Sequence, residues 1–266
     1  MKSKHIIYQV DAFTSEPFRG NPAGVCILDN TPEPGWMQNI AMEMNLSETA
    51  FVFPGKDGER IIRFYTPEAE VPLCGHATLS ASHILYETGL AAVDEKIVFS
   101  SRSGALISSK NGSWITMNFP ADTINQVSEL AEFEKATGFR PVELYDTGNF
   151  WSLALLKDEK QLKSITPDFV RMKGSKYGDL IVTAPSADKA YDYSIRCFAP
   201  AVGINEDPVT GSAQCALGPF WNMKTGKNDF ICHQVSKRGG ILKVSLKGDR
   251  VDIGGQAVTM FRAELL

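Results

Sequence analysis

Glu70-Val71-Pro72-Leu73-Cys74-Gly75-His76-Ala77 and Glu206-Asp207-Pro208-Val209-Thr210-Gly211-Ser212-Ala213 both read E-x-P-x-x-G-x-A, 136 positions apart. Ahead of each stands an R-x-aromatic-x-P run, Arg63-Phe64-Tyr65-Thr66-Pro67 and Arg196-Cys197-Phe198-Ala199-Pro200. Behind each comes an uncharged stretch and then a Thr-Gly stop, at Thr88-Gly89 and Thr225-Gly226. Further upstream, Gly20-Asn21 is echoed by Gly148-Asn149. One such match would mean little, since Gly and Pro are common. Four in the same order point to an internal duplication, with a first half near 1–119 and a second half over 120–256. Two copies are too few for a solenoid. They fit two similar lobes, with a small-molecule site in a cleft.

Within each half, runs rich in Ile, Val, Phe and Tyr and bounded by Gly, Pro or Asp predict strands. They fall at 6–13, 24–28, 48–54 and 59–66, then near 142–147, 150–156, 179–184 and 191–199. Three more lie within 95–118, with turns at Ser103-Gly104 and Asn111-Gly112, and a pair at 240–246 and 249–254 flanks Lys247-Gly248-Asp249. Pro34 to Met44 carries a helical pattern. His76 to Tyr86 and Ser212 to Met223 contain no Asp, Glu, Lys or Arg. A helix without a charged face is normally buried on all sides. Each lobe is therefore expected to be a curved mixed or antiparallel sheet rolled around its own central helix, an α+β architecture. Pro219 should bend or shorten the second of these helices.

Composition narrows the function. The chain has 266 residues, 43% hydrophobic and 22% charged, which suits two folded units of about 100–150 residues each. A net charge of −4 without a Lys/Arg block gives no support for nucleic-acid binding. No apolar stretch reaches the ~18 residues of a membrane span. The N-terminus is too short and too polar for a signal peptide. Cys26, Cys74, Cys197, Cys215 and Cys232 are odd in number and dispersed, as free thiols in a reducing cytoplasm would be. CxxC, HExxH and GxxxxGK[ST] are all absent, and neither Cys74-x-His76 nor Cys232-His233 has tetrahedral metal spacing. Zinc and P-loop chemistry thus lack their usual spacing.

The candidate chemistry gathers at the two turns that lead into the buried helices. The first N–H groups of a helix lack intrahelical partners and carry partial positive charge, so they suit a carboxylate or a developing enolate. Glycine there, Gly75 and Gly211, lets a ligand approach the backbone. His76 and Asp207 occupy corresponding ends of the repeat and could act as acid and base or orient a substrate. Asp207, Thr210 and Ser212 also suit plain N-capping. Glu48 opens an apolar strand, where desolvation would raise its pKa and favour proton transfer. On composition alone a glutamate on an edge strand is more often solvated. Cys74 suggests a racemase nucleophile, but Thr210 stands where a second thiol would be needed, and Cys215 reads as core.

Four motifs together resemble the PhzF-like isomerase family of the diaminopimelate-epimerase-like fold. They are Asp11-Ala12-Phe13 with Phe18-Arg19-Gly20-Asn21-Pro22-Ala23-Gly24-Val25, Asn45-Leu46-Ser47-Glu48-Thr49-Ala50-Phe51, Cys74-Gly75-His76-Ala77-Thr78, and the segment from Glu206 to Ala213. The resemblance implies two pseudo-symmetric lobes, with a final strand at about 257–266 returning to the first. It implies a homodimer that binds a small carboxylate and needs no cofactor or metal. The family's phenazine enzyme isomerises a dihydro-hydroxyanthranilate by moving a proton. By motif match Glu48 is the general acid or base, and His76 and Asp207 assist it. Gly75, Gly211 and Ser212 match contacts to the substrate carboxylate, and Asn21 lies in the cleft-facing signature. Cys74 departs from the phenazine enzyme, which has no thiol there. An amino-acid racemase or epimerase using Cys74, and a non-catalytic carboxylate-binding protein, remain alternatives.

Overall fold

The structure, a computed structural model, describes residues 5–265. The chain divides into two compact units, one running to Asn118 and resuming from Gly254, the other spanning Phe119–Ile253. The first unit contains β1 (His5–Ala12), β2 (Asn21–Ile27), α1 (Pro34–Met44), β3 (Glu48–Pro54), β4 (Arg60–Tyr65), β5 (Glu70–Val71), α2 (Gly75–Glu87), β6 (Ile97–Ser101) and β7 (Gly104–Asn111). The boundary falls within β8 (Trp114–Pro120). The second unit follows with β9 (Asn125–Val127), α3 (Leu130–Thr137), β10 (Glu143–Asp146), β11 (Ser152–Leu155), α4 (Glu159–Ser164), α5 (Phe169–Lys173), β12 (Leu180–Pro185), β13 (Tyr193–Ala199) and β14 (Ile204–Asp207). It continues through α6 (Gln214–Thr225), β15 (Asp229–Gln234), β16 (Gly240–Lys247) and most of β17 (Arg250–Gly255). The last strand, β18 (Ala257–Leu265), pairs antiparallel with β1 along its length.

The duplication is legible in the strand pairing. In the first unit β2 is antiparallel to β1 and parallel to β3. β4 is antiparallel to β3 and β5 and parallel to β6, which is antiparallel to β7. The second unit repeats this series strand for strand from β10 to β16. Its α6 lies between β14 and β15 as α2 lies between β5 and β6. The fold is α+β with mixed sheets.

The R-x-aromatic-x-P and E-x-P-x-x-G motifs prove to be partners. Arg63 Nε lies 3.4 Å from Glu70 Oε1, and Arg102 reaches the same carboxylate at 2.8 Å. In the second unit Arg196 grips Glu206 through two bonds of 2.7 and 3.0 Å. Each pair ties the strand before the turn to the strand leading into it. A bidentate guanidinium–carboxylate contact fixes geometry as well as supplying energy.

The uncharged helices differ from one another. In α2 nearly every residue from His76 to Tyr86 is buried, and the helix packs on β1, β2, β3, β7 and β18. Its hydroxyls turn inward: Thr78 Oγ1 donates to the Cys74 carbonyl and Ser82 Oγ to the Thr78 carbonyl. Close packing here depends on Gly255, where a Cβ would stand 2.4 Å from the Phe13 ring and 2.6 Å from Leu79. The second helix begins at Gln214, not Ser212, because the bonds from Gln214, Cys215 and Ala216 reach back three residues in a tight turn. Nor is it buried throughout: Met223 is exposed, since the last turn emerges at Lys224, whose ammonium meets Glu143 at 2.6 Å. Pro219 does not shorten it. The Cys215 carbonyl that Pro219 cannot serve accepts instead from the Asp122 backbone N–H at 2.9 Å, and the helix continues to Thr225.

Helices α3, α4 and α5 are additions to the expected pattern. They are short, five to eight residues, and offer too few turns for a clear apolar period. Their legible signals are caps: Asp158 accepts from the Gln161 N–H and Asp168 from the Arg171 N–H.

Buried Glu159 joins α4 to the turn after β12. It accepts from Ser186 Oγ, the Ala187 N–H and Ser194 Oγ at 2.8–3.0 Å, and pairs with Lys163. Burial alone would raise its pKa, but the Lys163 ammonium, the Ala187 amide and the two hydroxyls outweigh it and pull the carboxyl down to about 2. The stability this supplies is complete above the ordinary carboxylate value and is lost as pH falls through the native one. Acid titration of the unfolding free energy should therefore lose up to about 3 kcal/mol between pH 4.5 and 2, and Glu159→Gln should flatten that slope. Separately, Gly255→Ala should destabilise by about 1–3 kcal/mol in urea unfolding, through overpacking against Phe13 and Leu79.

Candidate active site

Glu48 is the first residue of β3, which is hydrogen-bonded to β2 on one side and β4 on the other. It is thus not on an edge strand, and its side chain is only 17% exposed. Cys74 is the N-cap of α2 and His76 stands in its first turn. These elements belong to the first unit, so one packed scaffold brings Glu48, Cys74 and His76 together. His76 Nε2 lies 3.3 Å from Glu48 Oε2, and Ser47 Oγ is 3.5 Å from the same nitrogen. Cys74 Sγ lies 3.4 Å from His76 Nδ1 and 4.0 Å from Nε2, and it also hydrogen-bonds to Glu48. Thiol, imidazole and carboxyl therefore form one compact cluster.

Burial is the main influence on Glu48 and raises its pKa above the ordinary carboxylate value, while hydrogen bonds from Ser47 and Cys74 act in the opposite direction. A carboxyl poised above its usual range holds a proton nearer neutrality, as a general acid or base requires. Cys74 caps α2 with no side-chain bond, so its thiol is left to the histidine and glutamate. At Gly75 an added Cβ would meet nothing within 4 Å, so packing within the chain does not demand glycine. Its absent side chain leaves the backbone of the turn uncovered for a ligand.

Asn21 is fully buried at the start of β2, opposite Ala12. It lies two residues before Ala23, which is in register with Glu48 on the parallel neighbour β3, so both stand at the same end of the sheet. The loop entering β2 is strained, with Phe13 at φ 63° and Phe18 at φ 66°. The buried carboxylate of Asp11 accepts from the Phe18 N–H at 2.9 Å and holds that ring out in solvent.

In the second unit, Asp207, Thr210, Gly211 and Ser212 form the matching turn. Neither Asp207 nor Ser212 caps α6; its N-cap is Ala213, with no side-chain bond. The Thr210 hydroxyl donates to Asp207 Oδ2 at 2.5 Å. Gln234 of β15, unremarked in the sequence, holds the turn from beneath: its Oε1 accepts from the Thr210 N–H and its Nε2 donates to the Asp207 carbonyl, each at 2.8 Å. Ser212 is exposed, whereas Gly211 is buried.

The mixed sheets, the buried central helices and an acid–imidazole–thiol group at a helix start are the setting of an enzyme of the isomerase type. The family described as phenazine biosynthesis-like protein matches residues 10–263. An uncharacterized isomerase of Halalkalibacterium halodurans is 47% identical over 261 residues, 98% of each chain. The crystal structure of a PhzF-family phenazine biosynthesis protein from Enterococcus faecalis superposes with a TM-score of 0.93 at 38% identity, covering 99% of each chain. A probable proline racemase from Agrobacterium radiobacter, at 10% identity and a TM-score of 0.63 over 98% of this chain and 93% of its own, shares the fold alone. The chain belongs to the PhzF family and is an isomerase. Among the described residues, no helix is long and apolar enough to cross a membrane.

Because the native Glu48 pKa is raised, folding disfavours its ionised form. The cost is absent below the ordinary value of 4.5 and grows as pH rises through the native pKa. Glu48→Gln should thus match or exceed the parent in urea unfolding at pH 8 and lose that advantage below pH 4.5. A variant markedly less stable at pH 8 would show that its hydrogen bonds, not its desolvation, dominate.

Proposed function

We propose that this isomerase works without a cofactor, moving one proton between two carbons of a small carboxylate substrate through Glu48. The carrying observation is the contact of a largely buried Glu48 with His76 at 3.3 Å, with the Cys74 thiol against both. Glu48 as carboxylate takes the proton from one carbon and, as carboxylic acid, returns it to another, so nothing is consumed. His76 orients the carboxyl and spreads charge during each transfer. The backbone at Gly75 and His76, at the positive end of α2, offers donors to the substrate carboxylate or to enolate charge. By motif match Asp207, Gly211 and Ser212 serve the same substrate, and Asn21 lines the site. The family resemblance adds a homodimer, and the dispersed cysteines support a reducing cytoplasmic setting.

Cys74 supports a second reading, an epimerase in which the thiolate removes the proton, because His76 Nδ1 is placed to accept the thiol's hydrogen. Candidate small carboxylates incubated with the enzyme in deuterated water and followed by NMR separate the two. On the leading reading, Glu48→Gln slows deuterium incorporation by about 10²–10⁴-fold, Asp207→Asn also lowers it, and Cys74→Ser retains measurable exchange. Full exchange in Glu48→Gln with none in Cys74→Ser overturns it in favour of the thiol.

A further inference from the structure

The sequence offers Cys74-x-His76 without the partners a metal site needs, and the fold supplies one from another element. One ligand atom each from Glu48, Cys74 and His76 lies within 4.8 Å of the others. We propose that these three side chains form a binding site for a thiophilic divalent cation of the Zn²⁺ class, and that the bound ion withholds Glu48 from proton transfer. The inhibitory consequence rests on the function proposed above; the cation site does not.

Bonds of about 2.0 Å to nitrogen and oxygen and about 2.3 Å to sulfur place the corners of a tetrahedral zinc site roughly 3.3–3.6 Å apart. His76 Nε2 stands 3.3 Å from Glu48 Oε2 and 3.5 Å from Ser47 Oγ. Cys74 Sγ is 4.0 Å from the same nitrogen, so a small side-chain rotation closes the third edge. The result is three protein ligands with a fourth position for the Ser47 hydroxyl or a water, the form taken by zinc sites that keep an open position.

The donor set also selects the ion. A sulfur, an imidazole nitrogen and one carboxylate suit Zn²⁺, Co²⁺ or Cd²⁺, whereas Mg²⁺ and Ca²⁺ require oxygen shells. With the thiol and carboxyl deprotonated and the imidazole neutral, two negative charges balance the cation. The scaffold is preorganised, because Cys74 and His76 share one turn of a buried helix and Glu48 begins an interior strand. The side chains of His76 and Glu48 are 9% and 17% exposed, which leaves an entry from solvent.

The probe is Co²⁺ added alone to chelator-treated full-length protein, read by absorption and equilibrium dialysis. One ion per chain should bind with a thiolate-to-cobalt charge-transfer band, and Zn²⁺ should displace it. The band should vanish in Cys74→Ala and His76→Ala, each checked for folding by circular dichroism, and affinity should fall at least about tenfold in Glu48→Gln. Cys215→Ala, at the partly exposed cysteine outside the cluster, should keep the band. Absence of the band in the parent, or its survival in folded Cys74→Ala, overturns the site. These readings need no substrate, so they stand or fall apart from the isomerase chemistry. A bound ion that leaves deuterium exchange undiminished overturns the inhibitory claim and the placement of proton transfer at Glu48, while the cation site stands.

Discussion

A helix with no charged side chain before its last residue can stay inside a protein only if its backbone is satisfied along its length and the sheet around it can close. In α2 the first condition is met by intrahelical bonds and the second by small residues, with Ala77, Ser80 and Ala81 all buried. Burial cannot satisfy the first amide groups, which by helix geometry have no carbonyl behind them. The packing that hides the helix thus leaves polarised donors at one end, beside the only sequence within the element that carries a thiol and an imidazole together. The Arg63–Glu70 and Arg196–Glu206 pairs fix how the chain enters each turn. The positions of the reactive groups follow from that entry more than from their own contacts.

The same burial acts on the chemistry. Glu48 opens a strand whose next five residues are buried, and the water it loses is only partly replaced by Ser47 and Cys74. A fully compensated carboxylate, such as Glu159, sits far below the ordinary range and would be a poor base. The contrast between the two acids lies in their partners. Glu159 has an ammonium, an amide and two hydroxyls, whereas Glu48 faces groups that exchange protons themselves. Burial thus holds the Glu48 carboxyl above the ordinary carboxylate range, and stability is given up there.

Much of this was legible in the sequence because it depends on local pattern. Repeated turns, uncharged helices and alternating strands are set by residue order, and the strand pairings of the two units repeat as the motifs do. What the sequence concealed depends on tertiary contacts. Pro219 read locally is a helix breaker; the Asp122 amide that takes up the freed Cys215 carbonyl lies 93 residues away from that cysteine and has no motif. Gln234 looks like an ordinary strand residue until β15 brings it under Thr210. Glu48 looked like an edge residue because nothing local says that β2 and β4 flank its strand. Asp207 and Ser212 have the chemistry of caps, but Gln234 and Thr210 engage Asp207 first.

Duplication supplied two equivalent scaffolds, and divergence has made them unequal. Thr49 is in register with Tyr65, and Leu180 with Phe198; the motifs align Tyr65 with Phe198, so the counterpart of Glu48 is Asp179. The counterparts of Cys74 and His76 are Thr210 and Ser212. Burial raises the Asp179 carboxyl as it raises that of Glu48. Yet the second turn carries hydroxyls, which neither ionise near neutrality nor relay protons as imidazole does. The scaffold therefore keeps a desolvated acid in both halves, whereas only the first turn carries a thiol and an imidazole. A symmetric pair of bases would suit a racemase that must treat both faces of a carbon alike. An unequal pair fits the proposed transfer by a single carboxyl better than a racemisation that needs two equivalent bases.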